Sequence, residues 1–170
     1  MLKASDLFFG FEISDTAFDL CKKLETENLK FFKEDFLKTS KKYDILLCID
    51  VIEHVENYME FISSLKNKAE YKIFHIPLDL SVNSLITGSL LHARETVGHL
   101  HYFTPDTAIA TLIDCDYEII DKMFTPSFAS SPVKGIKTKI ANISRKIFYS
   151  MSPNMTSNLL GGVSMMVLAK

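Results

Sequence analysis

The sequence has 170 residues, of which 47% are hydrophobic and 24% are charged, with a formal net charge of −2. This size and balance are typical of one globular domain and exclude a disordered or fibrous chain. No apolar stretch reaches the roughly 18 residues of a membrane-spanning helix. The amino end lacks the small-residue cleavage site of a signal peptide. We therefore predict one domain over 1–170, cytoplasmic and without an integral membrane segment.

The charges and the cysteines restrict the partners further. Residues 1–124 carry 13 basic and all 21 acidic residues, whereas residues 125–170 carry six basic residues and no acid. Such a basic tail is compatible with an anionic partner or with a solvated helix face, and both readings stay open. The three cysteines, Cys21, Cys48 and Cys115, have neither metal-binding spacing nor an even count, so we predict buried free thiols and no metal site.

Short apolar runs alternate with longer helical patterns, as in βα units around a mostly parallel sheet. The predicted strands are 7–12, 29–33, 43–49, 71–76, 117–125 and 160–169. The last two should pair antiparallel at one edge, because no compact crossover joins them. The sequence therefore predicts an α/β fold with a Rossmann-like sheet, mostly parallel with an antiparallel last strand.

Helix signals fill most of the gaps between these strands. Ser14 is a good N-cap for a first helix, whose apolar residues should face the sheet; these are Ala17, Leu20, Cys21 and Leu24. A second helix is predicted over 53–66, burying Val55, Met59, Ile62 and Leu65. A third should run from Pro105 to Ile113, with Thr104 as its cap.

A basic helix is predicted over 133–150, after a loop rich in Ser and Pro at 127–132. Both belong to an insertion at 127–158, between the last two strands. The positive residues of the helix are Lys134, Lys137, Lys139, Arg145 and Lys146. We expect this helix to lie over or beside the substrate side of the ligand-binding cleft.

Ligands of an open α/β sheet bind outside the carboxyl ends of its strands. The segments at these ends read FGFEIS, KEDF, LLCIDVIEHV and FHIP, and a later loop reads RETVGHLHYFTP. In this order and spacing they resemble the class I S-adenosylmethionine-dependent methyltransferases, in the branch that acts on small molecules. The resemblance covers roughly residues 7–125 and weakly the final strand. It implies S-adenosylmethionine as cofactor and a small-molecule methyl acceptor, with no nucleic-acid partner.

The resemblance also implies an adenosine site. Glu12 would accept hydrogen bonds from the ribose hydroxyls, and Asp35 would accept one from the adenine amino group. Phe36 and Ile13 would cover the two faces of the adenine ring. Each residue has a structural alternative, because an acid after a strand often caps a helix and an apolar neighbour often only packs.

Further along the chain, the resemblance places Ile49 and Asp50 beside the methionine part of the cofactor. It places His54 near the methyl-transfer cleft and His99 on the acceptor side, where a neutral imidazole can take a proton. Neighbouring residues of a helix point apart, so Glu53 and His54 should not face the same ligand, and we favour His54. Arg94 would hold an anionic group of the substrate.

One departure from the resembling family concerns glycine. The family has a glycine-rich loop after its first strand, whereas Gly10 is the only glycine before Gly88 here. The sequence therefore predicts that the first strand is missing, which leaves two half-sheets with unpaired inner edges. Three explanations stay open: a truncated product, an expression fragment, or a chain that closes the gap directly or with a second copy in a homodimer.

Two functions follow from this interpretation. The first is a methyltransferase for a small molecule, with the acceptor and the methylated atom left open. The second is an inactive methyltransferase-like binding or assembly module. A nicotinamide-dependent dehydrogenase is disfavoured, because its family has no fixed acidic-aromatic pair like Asp35 and Phe36.

Overall fold

A computed structural model of the chain describes residues 6–130 and 135–170. The start of the predicted basic helix, Val133 and Lys134, lies outside these residues. The chain forms two compact units, one up to Lys41 and one from Lys42 onward. In the described residues, no helix is both long enough and apolar enough to cross a membrane.

The first unit is a short βαβ element. Strands β1 (Phe8–Phe11) and β2 (Leu29–Phe32) pair in parallel around helix α1 (Asp15–Lys22). Ser14 caps α1 as predicted, because its side chain accepts a hydrogen bond from the Ala17 amide. The prediction that Leu20 and Leu24 face the sheet is wrong, since they are 60% and 65% exposed. A sheet of two strands is too narrow to cover the whole apolar face of α1.

The second unit contains a four-stranded sheet. Its strands are β3 (Tyr43–Ile49), β4 (Ala69–Pro77), β5 (Ile119–Thr125) and β6 (Ser164–Ala169). Their order is β3-β4-β6-β5; β3 and β4 are parallel, and β6 runs antiparallel to both β4 and β5. The predicted antiparallel pairing of the last two strands at one edge is confirmed, as is the α/β class with its mixed sheet.

Seven helices are described in this unit. They are α2 (Tyr58–Ser64), α3 (Val82–Thr87), α4 (Ser89–Val97), α5 (Pro105–Asp114), α6 (Ser127–Ser130), α7 (Ile136–Met151) and α8 (Pro153–Leu160). Helix α5 begins as predicted, with Pro105 in its first turn and a capping box between Thr104 and Thr107. Gly98, at φ 77°, ends α4 in the left-handed region that glycine adopts without strain.

Four segment predictions are wrong in part. The helix predicted over 53–66 is a 3-10 turn, Ile52–His54, followed by the shorter α2, so Val55 is only half-buried and Met59 is 39% exposed. The predicted loop around Arg94 is helical, because it belongs to α4. The loop predicted at 127–132 begins with α6, and the last strand begins at Ser164 because α8 occupies 153–160.

The core lies on one face of the four-stranded sheet. Phe74 of β4 is fully buried, and its ring meets that of Tyr117 at 5.4 Å. The Tyr117 hydroxyl donates a 2.9 Å hydrogen bond to the Ile62 carbonyl of α2. The prediction of buried free thiols holds for Cys48 and Cys115, and burial raises the pKa of Cys48 to about 12.

The opposite face of β3 is open. Ile45, Leu47 and Ile49 alternate along the strand and are 52%, 61% and 43% exposed. Within the described residues, β3 pairs only with β4, and β1 and β2 pair only with each other. The prediction of two half-sheets is therefore confirmed.

Lys72 of β4 gives a prediction about stability and pH. It is only 3% exposed, and loss of solvation lowers the pKa of its ammonium group below the ordinary 10.5. The folded protein thus holds this proton less tightly than the unfolded chain, so stability is gained as the pH rises toward 10.5. We expect Lys72→Met to be more stable than the parent protein at neutral pH, with an advantage that shrinks as the pH rises.

Urea unfolding of both proteins at neutral pH and at about pH 10 measures this difference. Lys42→Met is the matched control, because Lys42 is exposed. The control should show the same difference from the parent at both pH values. A Lys72→Met difference that stays constant with pH would contradict the prediction.

Candidate functional site

A cleft of about 740 Å³ opens at the carboxyl ends of β3 and β4. The end of β5 and the start of the antiparallel β6 also reach it. Its lining is rich in carboxylates and imidazoles and includes Asp50, Glu53, His75, Asp79, His99, Thr125 and Ser164. The position agrees with the rule that open α/β sheets bind ligands at this edge.

Asp50 occupies the turn directly after β3. Its backbone has φ 50°, a left-handed conformation in which Asp is enriched over most other residues. Its carboxylate lies 2.6 Å from Nδ1 of His75, and Nε2 of His75 lies 2.9 Å from the Thr125 hydroxyl. The three side chains therefore form one hydrogen-bonded row across the ends of β3, β4 and β5.

Glu53, His54 and His99 form a second cluster, in which one ligand atom from each residue lies within 4.8 Å of the others. Nε2 of His54 is 3.8 Å from Glu53 Oε1, and Nε2 of His99 is 4.0 Å from the same oxygen. Glu53 lines the cleft and the favoured His54 does not, but the two side chains approach each other rather than pointing apart. The prediction assumed a regular α-helix, whereas residues 52–54 form a 3-10 turn.

The outer nitrogens of both imidazoles are held by acceptors. Nδ1 of His99 lies 2.6 Å from an Asp79 carboxylate oxygen, and Nδ1 of His54 lies 3.1 Å from the Gly98 carbonyl oxygen. Carbonyl and carboxylate oxygens only accept hydrogen bonds, so both Nδ1 atoms carry the proton. In the neutral imidazoles, each Nε2 therefore presents a lone pair toward Glu53.

Glu53 is the unusual member of this cluster. Its side chain is 1% exposed, and neither carboxylate oxygen has a hydrogen-bond partner among the described residues. Burial raises the pKa of this carboxyl group, while the residue's own backbone amide and, to a smaller extent, His54 and His99 oppose the shift. An isolated buried carboxylate is costly, so a group that compensates its charge is expected nearby.

A smaller cavity of about 240 Å³ shares Asp79 with the cleft. Arg145 of α7 lines it, donating 3.1 Å hydrogen bonds to Asn142 Oδ1 and to the Leu160 carbonyl. Partial burial lowers the pKa of this guanidinium group. Arg94, the predicted substrate-binding residue, is exposed on α4 and lines neither cavity. Arg145 of the predicted basic helix thus places a positive charge beside the cleft, whereas Arg94 does not.

The first unit contains the residues of the predicted adenosine site. Glu12 and Asp35 follow the parallel neighbours β1 and β2, so both lie at the carboxyl edge of that sheet. Glu12 accepts a 2.8 Å hydrogen bond from the Ser14 amide, and Asp35 accepts one of 2.9 Å from the Leu37 amide. Each carboxylate has a second oxygen for a ligand.

The two predicted adenine-covering residues differ in their surroundings. The Phe36 ring meets the Phe11 ring edge-on at 5.0 Å, which fixes its orientation. Ile13 is 75% exposed, a large exposure for an isoleucine. Ile49, predicted beside the methionine part of the cofactor, is 43% exposed at the end of β3. The contacts in the described residues do not test whether Phe36, Ile13 and Ile49 bind a ligand.

Three acidic or histidine residues of the cleft escaped the sequence analysis: Glu53, His75 and Asp79. Glu53 was set aside on helical geometry. His75 and Asp79 lie in and after the run FHIPLD, at the carboxyl end of β4. The rule that ligands bind beyond strand ends could have found Asp79, since it is the first acid after that strand.

Comparison with solved structures shows agreement in fold. No family model matches the chain, and no curated protein matches its sequence. Among solved structures, magnesium protoporphyrin IX methyltransferase from Synechocystis PCC 6803, with bound SAH, aligns over 96% of this chain and 63% of its own, at 16% identity and a TM-score of 0.56. A SAM-dependent methyltransferase from Archaeoglobus fulgidus aligns over 95% of this chain and 75% of its own, at 16% identity and a TM-score of 0.58.

The same fold also occurs with another activity. The cyclase SpnF aligns over 97% of this chain and 66% of its own, at 8% identity and a TM-score of 0.60. This chain thus spans less than two thirds of two of these three proteins. The TM-scores of 0.56 to 0.60 establish the fold, whereas identities of 8% to 16% establish no activity, so the chemistry has to be argued from the site.

Proposed function

We propose that this protein transfers a methyl group from S-adenosylmethionine to a small-molecule acceptor. The proposal starts from its class I S-adenosylmethionine-dependent methyltransferase fold. The observation that carries the proposal is the cleft at the carboxyl ends of β3 and β4, because this is where the fold type binds its ligands. The proposal assigns Glu12, Ile13, Asp35 and Phe36 to the adenosine part of the cofactor. It assigns Ile49 and Asp50 to the methionine part.

The charge of the cleft supports this assignment. Asp50, Glu53 and Asp79 all line it, and S-adenosylmethionine carries a sulfonium and an ammonium group. Carboxylates at a partly dry site attract such cations more strongly than they would in water. The same charges disfavour an anionic acceptor, so a neutral or cationic hydroxyl or amine is the acceptor class that fits best.

His54 and His99 are the proposed acceptor-side residues. Asp79 orients His99 and leaves the Nε2 lone pair available as a proton acceptor at the wall of the cleft. Methyl transfer from a sulfonium is an in-line displacement of an activated group, so positioning supplies much of the acceleration. A base therefore assists this reaction without being required for it.

Calorimetric titration with S-adenosylhomocysteine tests the cofactor assignment, with NADH as the control ligand. We expect one equivalent of S-adenosylhomocysteine to bind and NADH to give no heat beyond dilution. Binding of NADH alone would replace the methyltransferase proposal by a dehydrogenase. Release of S-adenosylhomocysteine from S-adenosylmethionine, in the presence of pooled phenols and amines, then tests the transfer.

A second candidate, an inactive methyltransferase-like module, is favoured by one observation. In the described residues, β1 and β2 form one sheet and the four strands from β3 to β6 form another, whereas a Rossmann-like fold has one continuous sheet. Absence of binding by either ligand, in a protein with a cooperative unfolding transition, would support this module.

A further inference from the structure

We propose that Glu53, His54 and His99 form a binding site for a first-row transition-metal dication. The three residues contribute one carboxylate oxygen and two imidazole nitrogens, all within 4.8 Å of one another. Two histidines and one carboxylate are a ligand set that suits Zn²⁺, Fe²⁺ and related ions. The proposal concerns the cation alone and does not rest on methyl transfer.

The orientation of the imidazoles supports the proposal. A histidine that binds a metal through one ring nitrogen usually donates its other N–H to a carboxylate or a backbone carbonyl. His99 makes this contact with Asp79 at 2.6 Å, and His54 makes it with the Gly98 carbonyl at 3.1 Å. Both Nε2 atoms are therefore fixed in the tautomer and direction that a metal requires.

The isolation of Glu53 is the second, independent observation. Its carboxylate is 1% exposed and has no hydrogen-bond partner in the described residues. The Nε2 to Oε1 separations of 3.8 and 4.0 Å are longer than hydrogen bonds and leave space between the three groups.

The distances match an ion better than a hydrogen bond. Zinc lies about 2.0–2.2 Å from nitrogen and oxygen ligands, which places neighbouring ligands of a tetrahedral ion about 3.4 Å apart. The two Nε2 to Oε1 separations exceed that value by about 0.4 and 0.6 Å, and all three ligand atoms lie within 4.8 Å of one another, so the side chains would have to draw together around a bound ion. Three protein ligands leave at least one coordination position of the metal ion open. Glu53 and His99 line the cleft, so a further ligand could reach this position from the cleft.

A bound cation changes the role of the two histidines. Their Nε2 lone pairs would be ligands and no longer proton acceptors. The cation would instead lower the pKa of a water or hydroxyl bound at the open position. The cleft would then favour an oxygen-containing ligand.

The experiment titrates the metal-free protein with Co²⁺, without cofactor or acceptor, and follows visible ligand-field absorption and the bound metal per chain. We expect one Co²⁺ per chain. Glu53→Gln, His54→Gln and His99→Gln should each lower the affinity at least tenfold. His92→Gln is the matched control, because His92 is exposed on α4, and its affinity should equal that of the parent protein.

Asp79→Asn tests the supporting carboxylate, and we expect its Co²⁺ affinity to fall by about 10- to 100-fold. If Glu53→Gln does not fold, His54→Gln decides the question, because the His54 side chain is 40% exposed and tolerates substitution. No binding by the folded parent protein would overturn the site. Unchanged affinity in any folded variant of the three ligands would also overturn it. The S-adenosylhomocysteine titration is independent, so failure of one proposal is distinguishable from failure of the other.

Discussion

Glu12→Ala is expected to weaken the binding of S-adenosylhomocysteine by about 1.5–3 kcal/mol, or roughly 10- to 150-fold in Kd. The proposed role of Glu12 is to accept hydrogen bonds from the ribose hydroxyls. Hydrogen bonds to a charged group lie at the strong end of the usual range, because the carboxylate is a better acceptor than a neutral oxygen. One Glu12 oxygen is already bonded to the Ser14 amide at 2.8 Å, which orients the other.

Calorimetry on the parent protein and the variant measures this effect. Glu27→Ala is the matched control, since it removes the same charge from an exposed position of the same unit. Equal Kd values for the parent and Glu12→Ala would remove Glu12 from the cofactor site. An equal loss in Glu27→Ala would mean that general charge, rather than a specific hydrogen bond, causes the effect.

Phe74→Ala is expected to lower the free energy of unfolding by about 3–5 kcal/mol. Phe74 is fully buried in β4, and its backbone lies between Cys48 of β3 and Val167 of β6. The truncation removes the edge-on contact with Tyr117 and leaves a cavity that the paired strands prevent from collapsing. Since domains are stable by only about 5–15 kcal/mol, this loss is a large fraction of the total.

Urea unfolding followed by far-ultraviolet circular dichroism measures the loss. Ile86→Ala is the control, because Ile86 is 80% exposed on α3, and its stability should change by no more than about 0.5 kcal/mol. A loss below about 1 kcal/mol for Phe74→Ala would contradict the tightly packed core described for the second unit. If the variant is unfolded in water, Phe74→Leu retains part of the buried volume and gives a measurable transition.

The α/β class and most of the strands could be predicted from local patterns in the sequence. The run 43–49 is continuously apolar apart from Asp44, which is typical of a strand covered on both faces; it forms β3 with the predicted bounds, although Ile45, Leu47 and Ile49 are exposed on one face. Thr104 and Pro105 similarly determined the start of α5, because capping and proline geometry act over only three or four residues. Signals of this kind are local and can be read without knowing the rest of the fold.

Tertiary structure decided the geometry of the cleft. Glu53 and His99 are 46 positions apart, and Asp79 lies between them in the chain. Their contacts depend on where α4 ends and on the 3-10 turn at Ile52–His54, which turns Glu53 and His54 toward one point. The same helix carries Arg94 to an exposed position, away from both cavities. Side-chain convergence over such separations depends on the packing of whole elements, so helical periodicity alone could not predict which of these residues meet.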